Sequence, residues 1–302
     1  MLHPKLPSPG AVLRKLLEEK TVIAPGVYDA ITCLLAQQAG AKALYITGAG
    51  VTNSQLGVPD IALITLTEMV CHASAIAGVS KVPIICDADT GYGGTMNVVR
   101  AIREFENIGL AGVHIEDQVH SKRCGHLEGK QLVPPEEMAS KIRAAVKARE
   151  DPSFMIIART DARGVAGLEE AIHRAKLYVL SGADCIFPEG LESKEEFALF
   201  RKEVPGLLMA NMTEFGKTPL ISAKEFEELG YSLVIFPMTA FRMAAESARR
   251  AYETVLHEGT QASILDKMMT REALYRLIDY EAYNALDKEI ADEVQKLSKE
   301  KK

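Results

Sequence analysis

Pro83-Ile84-Ile85-Cys86-Asp87-Ala88-Asp89 reads as a short apolar strand that ends in two carboxylates. Its hydrophobicity is nearly continuous, the pattern of a strand buried on both faces, as in a parallel sheet. Similar runs recur on either side. Thr21–Ala24 and Ala43–Thr47 precede it; Gly112–Glu116, Met155–Arg159, Cys185–Pro188, Leu207–Ala210 and Leu233–Phe236 follow. Successive runs start 22 to 43 residues apart, which suits strand–helix units. Between them, Ser140–Glu150 and Leu168–Leu180 carry apolar residues three and four apart, the spacing of an amphipathic helix. Glu169 and Glu170 fall in the first turn of the second, where the helix dipole favours carboxylates. Eight such units predict a closed (β/α)8 TIM-type barrel in preference to an open doubly wound α/β sheet. No G-x-G-x-x-G follows the first run, which weakens a dinucleotide site, and Gly91-Tyr92-Gly93-Gly94 lacks a P-loop lysine.

The composition suits such a domain. Apolar residues are 47% and charged residues 25%, which excludes a disordered chain or a small disulfide scaffold. Lys plus Arg number 35 against 41 Asp plus Glu, a net charge of −6 that argues against nucleic acid as a partner. Any anionic ligand must therefore be met by a local cluster of cations. Five cysteines without a C-x-x-C pair point to a reduced, cytoplasmic setting, and no signal peptide or membrane span is expected. The chain reads as one barrel domain over residues 1–302. Residues 239–302 form a helical extension, with helices at Thr239–His257, ended by Glu258-Gly259, and at Arg271–Lys299. Apolar helices beyond the eight units need a surface to cover, and a neighbouring subunit supplies one.

In a barrel the chemistry collects at the C-terminal ends of the strands. There the sequence places Tyr45 to Gly50, Asp87 and Asp89, Glu116-Asp117, Arg159 to Asp161, Pro188 to Gly190 and Asn211 to Thr213. Two residues apart on extended chain, Asp87 and Asp89 project to one side. Close carboxylates suit a hard cation such as Mg2+ or Mn2+, and equally suit a capping role in a loop. After the fourth run, Lys122-Arg123-Cys124-Gly125-His126 sets a thiol beside two cations and a histidine, which favours the thiolate. It lies within a polar connection, Gln118–Pro135, long enough to act as a lid. Most cysteines in such loops are inert. His114, inside the fourth run, reads as a packed residue.

Taken in order, these motifs resemble the isocitrate lyase/phosphoenolpyruvate mutase superfamily. The Lys122–His126 loop is their most specific part and marks the lyase branch. The resemblance runs from Pro25-Gly26-Val27-Tyr28-Asp29-Ala30 to about Tyr280. It implies that Asp87 and Asp89 anchor Mg2+, with Mn2+ as the other ion of that chemistry, while Asp60 and Glu116 act around the metal through water. It implies that Thr47, Gly48 and Ala49 hold the pyruvate-like part of the substrate. Cys124 matches the catalytic thiol, flanked by Gly125 and His126. Arg159, Glu189, Asn211, Met212, Thr213, Arg242 and Arg271 fall at or beside substrate-contacting positions. Thr47-Gly48-Ala49 stands where Ser-Gly-Gly is frequent in the family; Phe187 and Pro237 resemble the methylisocitrate-cleaving subclass. The implied activity is reversible cleavage of 2-methylisocitrate to pyruvate and succinate, with Cys124 as general acid and a homotetrameric assembly. The base is open between Tyr45, Glu116 and a Tyr bonded to metal-bound water. Alternatives are a phosphonomutase-branch reaction, dimethylmalate cleavage or oxaloacetate hydrolysis.

Overall fold

The computed structural model describes residues 6–123, 125 and 129–300. Eight parallel strands follow one another around a closed barrel: β1 Val22–Val27, β2 Leu44–Ile46, β3 Ile84–Asp87, β4 Gly112–Glu116, β5 Met155–Thr160, β6 Cys185–Pro188, β7 Leu207–Asn211 and β8 Leu233–Phe236. The pairing of β8 onto β1, from Val22↔Leu233 to Pro25↔Phe236, closes the ring and excludes the open sheet. All eight anticipated runs are strands. β1 extends further than Thr21–Ala24 suggests, through Pro25 and Gly26 to Val27. Gly26 belongs there because a Cβ would lie 2.1 Å from the main-chain oxygen of Pro237, so only glycine lets the two segments approach.

The strand pleat sorts side chains into two layers. Tyr45, Ile85, Ile157, Phe187, Met209 and Ile235 fill the barrel interior. Their neighbours Ile46, Cys86, Val113, Ala158, Ile186 and Ala210 pack outward against the helices. The helix Pro9–Glu19, opened by the Ser8 cap with Pro at N1, inserts Leu13 and Leu17 into the interior cluster at the N-terminal end of the strands. The inward phase, continued to the opposite ends, sets Asp87, Glu116, Arg159 and Asn211 around the mouth.

The helix anticipated at Leu168–Leu180 is found with those bounds. The one read as Ser140–Glu150 is Pro135–Ala148, because Pro at N1 with Glu136 and Glu137 in the first turn forms the true start.

The described residues divide into two compact units, 6–243 and 244–300. The helix Thr239–Glu258 crosses that boundary and ends at Gly259, whose φ of 67° and N–H bond to the Val255 carbonyl form a left-handed cap. The continuous helix expected over Arg271–Lys299 is two, Arg271–Leu277 and Tyr280–Glu300, broken where Asp279 takes a φ of 55°. Among the described residues, no helix is long and apolar enough to cross a membrane.

Candidate active site

The mouth holds a small cavity of about 60 Å³, walled in part by Tyr45, Thr47, Asp87, Arg159, Asn211 and Thr213. One side is acidic. Asp87 ends β3, and the chain then turns rather than running on extended, since Asp89 has a φ of 46°. The amide of Asp89 donates to Asp87 Oδ1 at 2.9 Å. The acidic pair is therefore gathered by a turn, which corrects the extended spacing read from sequence. Lys122 Nζ lies 2.6 Å from Asp89 Oδ1 and 2.7 Å from Asp60 Oδ1. Burial disfavours this ammonium, but Asp89, Asp87 and Asp60 outweigh it and hold it charged.

Burial likewise pushes the Asp87 carboxyl up, and nearby positive charge reverses that and holds it below the usual carboxylate range. His114 Nε2 lies 3.6 Å from Asp87 Oδ1. Burial lowers His114 to about 4, so its ring is neutral at pH 7; Asp87 titrates lower still, where that ring is protonated, and is held down first by His114 and then by Lys122 and Arg159. Asp89 moves the other way, raised by burial against the pull of Lys122, with Asp87 and Asp60 adding to the rise. Tyr45 Oη is 2.9 Å from His114 Nε2; burial and then Asp87 raise its pKa well above the usual value, so it stays a neutral phenol.

Glu116 is fully buried, and neither of its oxygens has a hydrogen-bond partner among the described residues. Its nearest cation is Arg159, with Nε 3.3 Å from Oε2. Beside Asp87, Thr47 caps the helix Gly48–Leu56 by accepting the Gly50 amide at 3.2 Å. A Cβ on Gly48 would sit 2.5 Å from Asp87 Oδ2, so the missing side chain lets the positive end of the helix meet the acidic pair.

The other side carries donors. Asp161 clamps Arg159 in a two-pronged pair, with Nε to Oδ2 at 2.9 Å and Nη2 to Oδ1 at 3.1 Å. Nη1 lies 3.4 Å from Glu189 Oε2, and the guanidinium stands over the Phe187 ring at 5.2 Å. Asn211 Nδ2 donates to Glu189 Oε2 at 3.1 Å. The connection after β4 leaves the barrel at Asp117 and returns at Val133, where the two segments pair through Val119 to Gln131 and Val133 to Asp117. Gly125 reaches down to the mouth. A Cβ there would come 2.4 Å from Glu189 Cγ and 2.5 Å from Arg159 Nη2, so the position requires space rather than backbone freedom. Gly125→Ala is expected to displace Arg159 or the loop and to cut kcat/KM about 10²-fold, the scale of a 1 Å misplacement; steady-state kinetics check it.

Cys124 and His126 lie outside the described residues. Met212 does not contact the cavity: one residue out of phase with Asn211 and Thr213, it packs in the outer core, where its sulfur accepts the Ile221 amide. Arg242 pairs with Glu214, Nε to Oε2 at 3.5 Å, and lies over Phe215 with its side chain 42% exposed. Arg271 opens a helix of the C-terminal unit.

A family model described as phosphoenolpyruvate phosphomutase matches residues 13–256. A 2-methylisocitrate lyase of Aeropyrum pernix is 50% identical over 97% of this chain and 94% of its own length. The chain belongs to the phosphoenolpyruvate mutase/isocitrate lyase superfamily. Within that superfamily it is a lyase. A crystal structure of 2,3-dimethylmalate lyase superposes with a TM-score of 0.89 at 39% identity, covering 95% of this chain and 96% of that one. Phosphonopyruvate hydrolase, solved with oxalate and Mg2+, superposes at 0.83 and 26% identity over 93% and 98% of the two chains.

Three parts of this superfamily member's site escape sequence reading. Lys122 counts there only as a neighbour of Cys124, yet it is the cation that binds Asp60 and Asp89. Lys130, buried against Asp161, carries no signal in the sequence. Asp161 marked a strand end without a role, although its position two residues after the inward-facing Arg159 gives it the same phase.

Proposed function

We propose that the protein cleaves 2-methylisocitrate reversibly to pyruvate and succinate, with a divalent ion, Mg2+ or Mn2+, at the acidic side of the mouth. The observation that carries this reading is the division of one cavity into an acidic half beneath a helix N-terminus and a half that presents Arg159 with neutral donors. The first suits an α-oxyacid gathered by a metal, the second a carboxylate tail. The residues fit a hard cation. Among the described residues no three His, Cys, Asp or Glu converge as a ready ligand set, but Mg2+ takes one or two carboxylates and keeps its waters. Asp87 would hold the ion directly with Asp89 beside it, and Asp60 and Glu116, whose oxygens have no hydrogen-bond partner among the described residues, would act through water. A bound ion supplies polarisation of the oxyacid oxygens.

The chain's own residues do the rest. Thr47, Gly48 and Ala49 receive the oxyacid at the first turn of their helix, while Arg159, Asn211 and Thr213 receive the remaining carboxylates. The C2 hydroxyl proton passes to a base, the C2–C3 pair moves onto C3, and Cys124, flanked by His126, delivers a proton there to complete succinate. Glu116 is the base we retain. Burial raises its carboxyl well above the usual range and favours the protonated form, so it takes a proton only once ionised; its oxygens have no competing hydrogen-bond partner among the described residues. Tyr45 is hydrogen-bonded to His114, and burial keeps its phenol protonated.

Residues 239–302 are proposed to serve subunit contacts in a homotetramer of barrels, in the cytoplasm. Leu286, Ile290, Val294 and Leu297 form an exposed apolar stripe along the helix Tyr280–Glu300. Cys33, Cys71, Cys86 and Cys185 are free thiols, in keeping with a reducing compartment. A phosphonomutase reading is not favoured, since relatives at 42 to 50% identity are lyases, among them 2-methylisocitrate lyases and, at 44%, a 2,3-dimethylmalate lyase.

The test is a panel of 2-methylisocitrate, isocitrate, 2,3-dimethylmalate, oxaloacetate and phosphonopyruvate at fixed Mg2+, with the carbonyl product trapped. We expect the highest kcat/KM on 2-methylisocitrate by at least about 10-fold, because a lost or added methyl or carboxylate contact is worth that much or more. A preference for another acid in the panel would reassign the substrate.

A further inference from the structure

The connection after β4 carries a second lysine that the reaction scheme leaves unused. Lys130 has a side chain only 3% exposed. Its Nζ donates to the main-chain oxygen of Gly125 and to Asp161 Oδ1, the latter at 3.1 Å. The same carboxylate holds Arg159 through Nε and Nη2. Asp161 is itself fixed from below. Its amide donates to Asp117 Oδ1 at 2.9 Å, and Asp117 also accepts from Thr160, Tyr178 and Arg174.

Burying an ammonium is costly unless it is paired and its hydrogen bonds are filled. A lysine meant only to tether a surface loop would avoid that cost by staying in water. Here the fold makes room for it: a Cβ on Gly164 would lie 3.1 Å from Lys130 Nζ. At its far end the contact fixes the carbonyl of Gly125, whose Cα faces Arg159 Nη2 and Glu189. Loop and guanidinium are therefore tied to each other twice, directly at Gly125 and through the Lys130–Asp161 pair.

We infer that Lys130 is a positioning residue, which through Asp161 and the Gly125 carbonyl sets the post-β4 loop and the Arg159 guanidinium in one register for cleavage. The inference rests on the reading of Arg159 as a substrate-facing group. It assigns Lys130 no contact with the reacting atoms.

The experiment compares wild type with Lys130→Met and Lys130→Arg, on whichever acid of the panel wild type turns over best. Lys130→Met is expected to lower kcat about 10²-fold with KM changed less than about threefold, the signature of lost alignment rather than lost binding. Lys130→Arg, which can still donate to both acceptors, is expected to restore at least about tenfold of that loss. Hydrogen exchange gives a readout independent of turnover: the peptide containing Gly125 is expected to exchange at least about tenfold faster in Lys130→Met, with the barrel strands unchanged. If Lys130→Met does not fold, Lys130→Gln takes its place with the same thresholds. The inference is overturned by kcat within threefold of wild type, by a rise in KM alone, or by a loss that arginine does not restore. If wild type turns over none of the panel, the proposed function fails by itself and the exchange comparison decides for or against Lys130.

Discussion

Cys124→Ser is expected to lower turnover by about 10²–10⁴-fold, the range of a lost general acid, while leaving binding of product and Mg2+ unchanged. The argument is one of acidity. A thiol ionises near the pH at which the enzyme works and can both give and take a proton, whereas a serine hydroxyl holds its proton far more tightly. The neighbours strengthen the contrast. Lys122 and Arg123 precede Cys124 in sequence, and cations beside a thiol lower the cost of thiolate. That makes proton removal from succinate feasible in the synthetic direction. Deuterium incorporation from solvent at C3 of succinate, measured in presence of pyruvate, checks the step without relying on net cleavage. Exchange at the wild-type rate in Cys124→Ser would remove the thiol from the mechanism.

The barrel was legible because its strands are buried on both faces, so Ile84-Ile85-Cys86 or Met155-Ile156-Ile157 announce themselves without any tertiary knowledge. The mouth was legible for the same reason, since polar residues that end an apolar run have nowhere else to face. What the run alone does not reveal is phase. Asn211, Met212 and Thr213 are equally close to the end of β7, and only the alternation Met209 inward, Ala210 outward assigns Met212 to the helix side. That correction was available in the sequence.

Other features were not. Nothing local separates Lys122 or Lys130 from the many solvated lysines of the chain. Their burial depends on Asp60, Asp89 and Asp161, which are brought near only when the ring closes. The left-handed turn at Asp89 and the break at Asp279 fall on residues that tolerate such φ values without demanding them, so no glycine or proline flags them. Arg242 is a residue whose role the sequence carries over by position alone. The resemblance implies a contact with substrate, and that role stays a proposal: here the half-exposed guanidinium pairs with Glu214 and lies over Phe215, and nothing in its position decides for or against a substrate carboxylate.

The second large effect is expected from the acidic half of the mouth. Asp87→Ala should remove the metal-dependent rate, with a loss of at least about 10³-fold, and should leave the barrel folded. The size follows from the several kcal/mol that a polarising ion contributes to a developing charge, at about 1.4 kcal/mol per tenfold in rate. The fold should survive because the charges that Asp87 faces keep other partners. Lys122 retains Asp89 and Asp60, and Arg159 retains Asp161 and Glu189. His114, already pushed toward its neutral form, loses no obligatory ion pair. Chelation offers the same test without substitution: wild type in excess EDTA should fall to the level of Asp87→Ala and recover when Mg2+ or Mn2+ is returned, whereas the variant should not respond to either ion. Asp89→Ala should act differently, since it strips a partner from Lys122 at 2.6 Å and so costs stability as well as rate. Activity that persists in EDTA, or a variant at Asp87 that still answers to added metal, would place the ion elsewhere or remove it from the reaction.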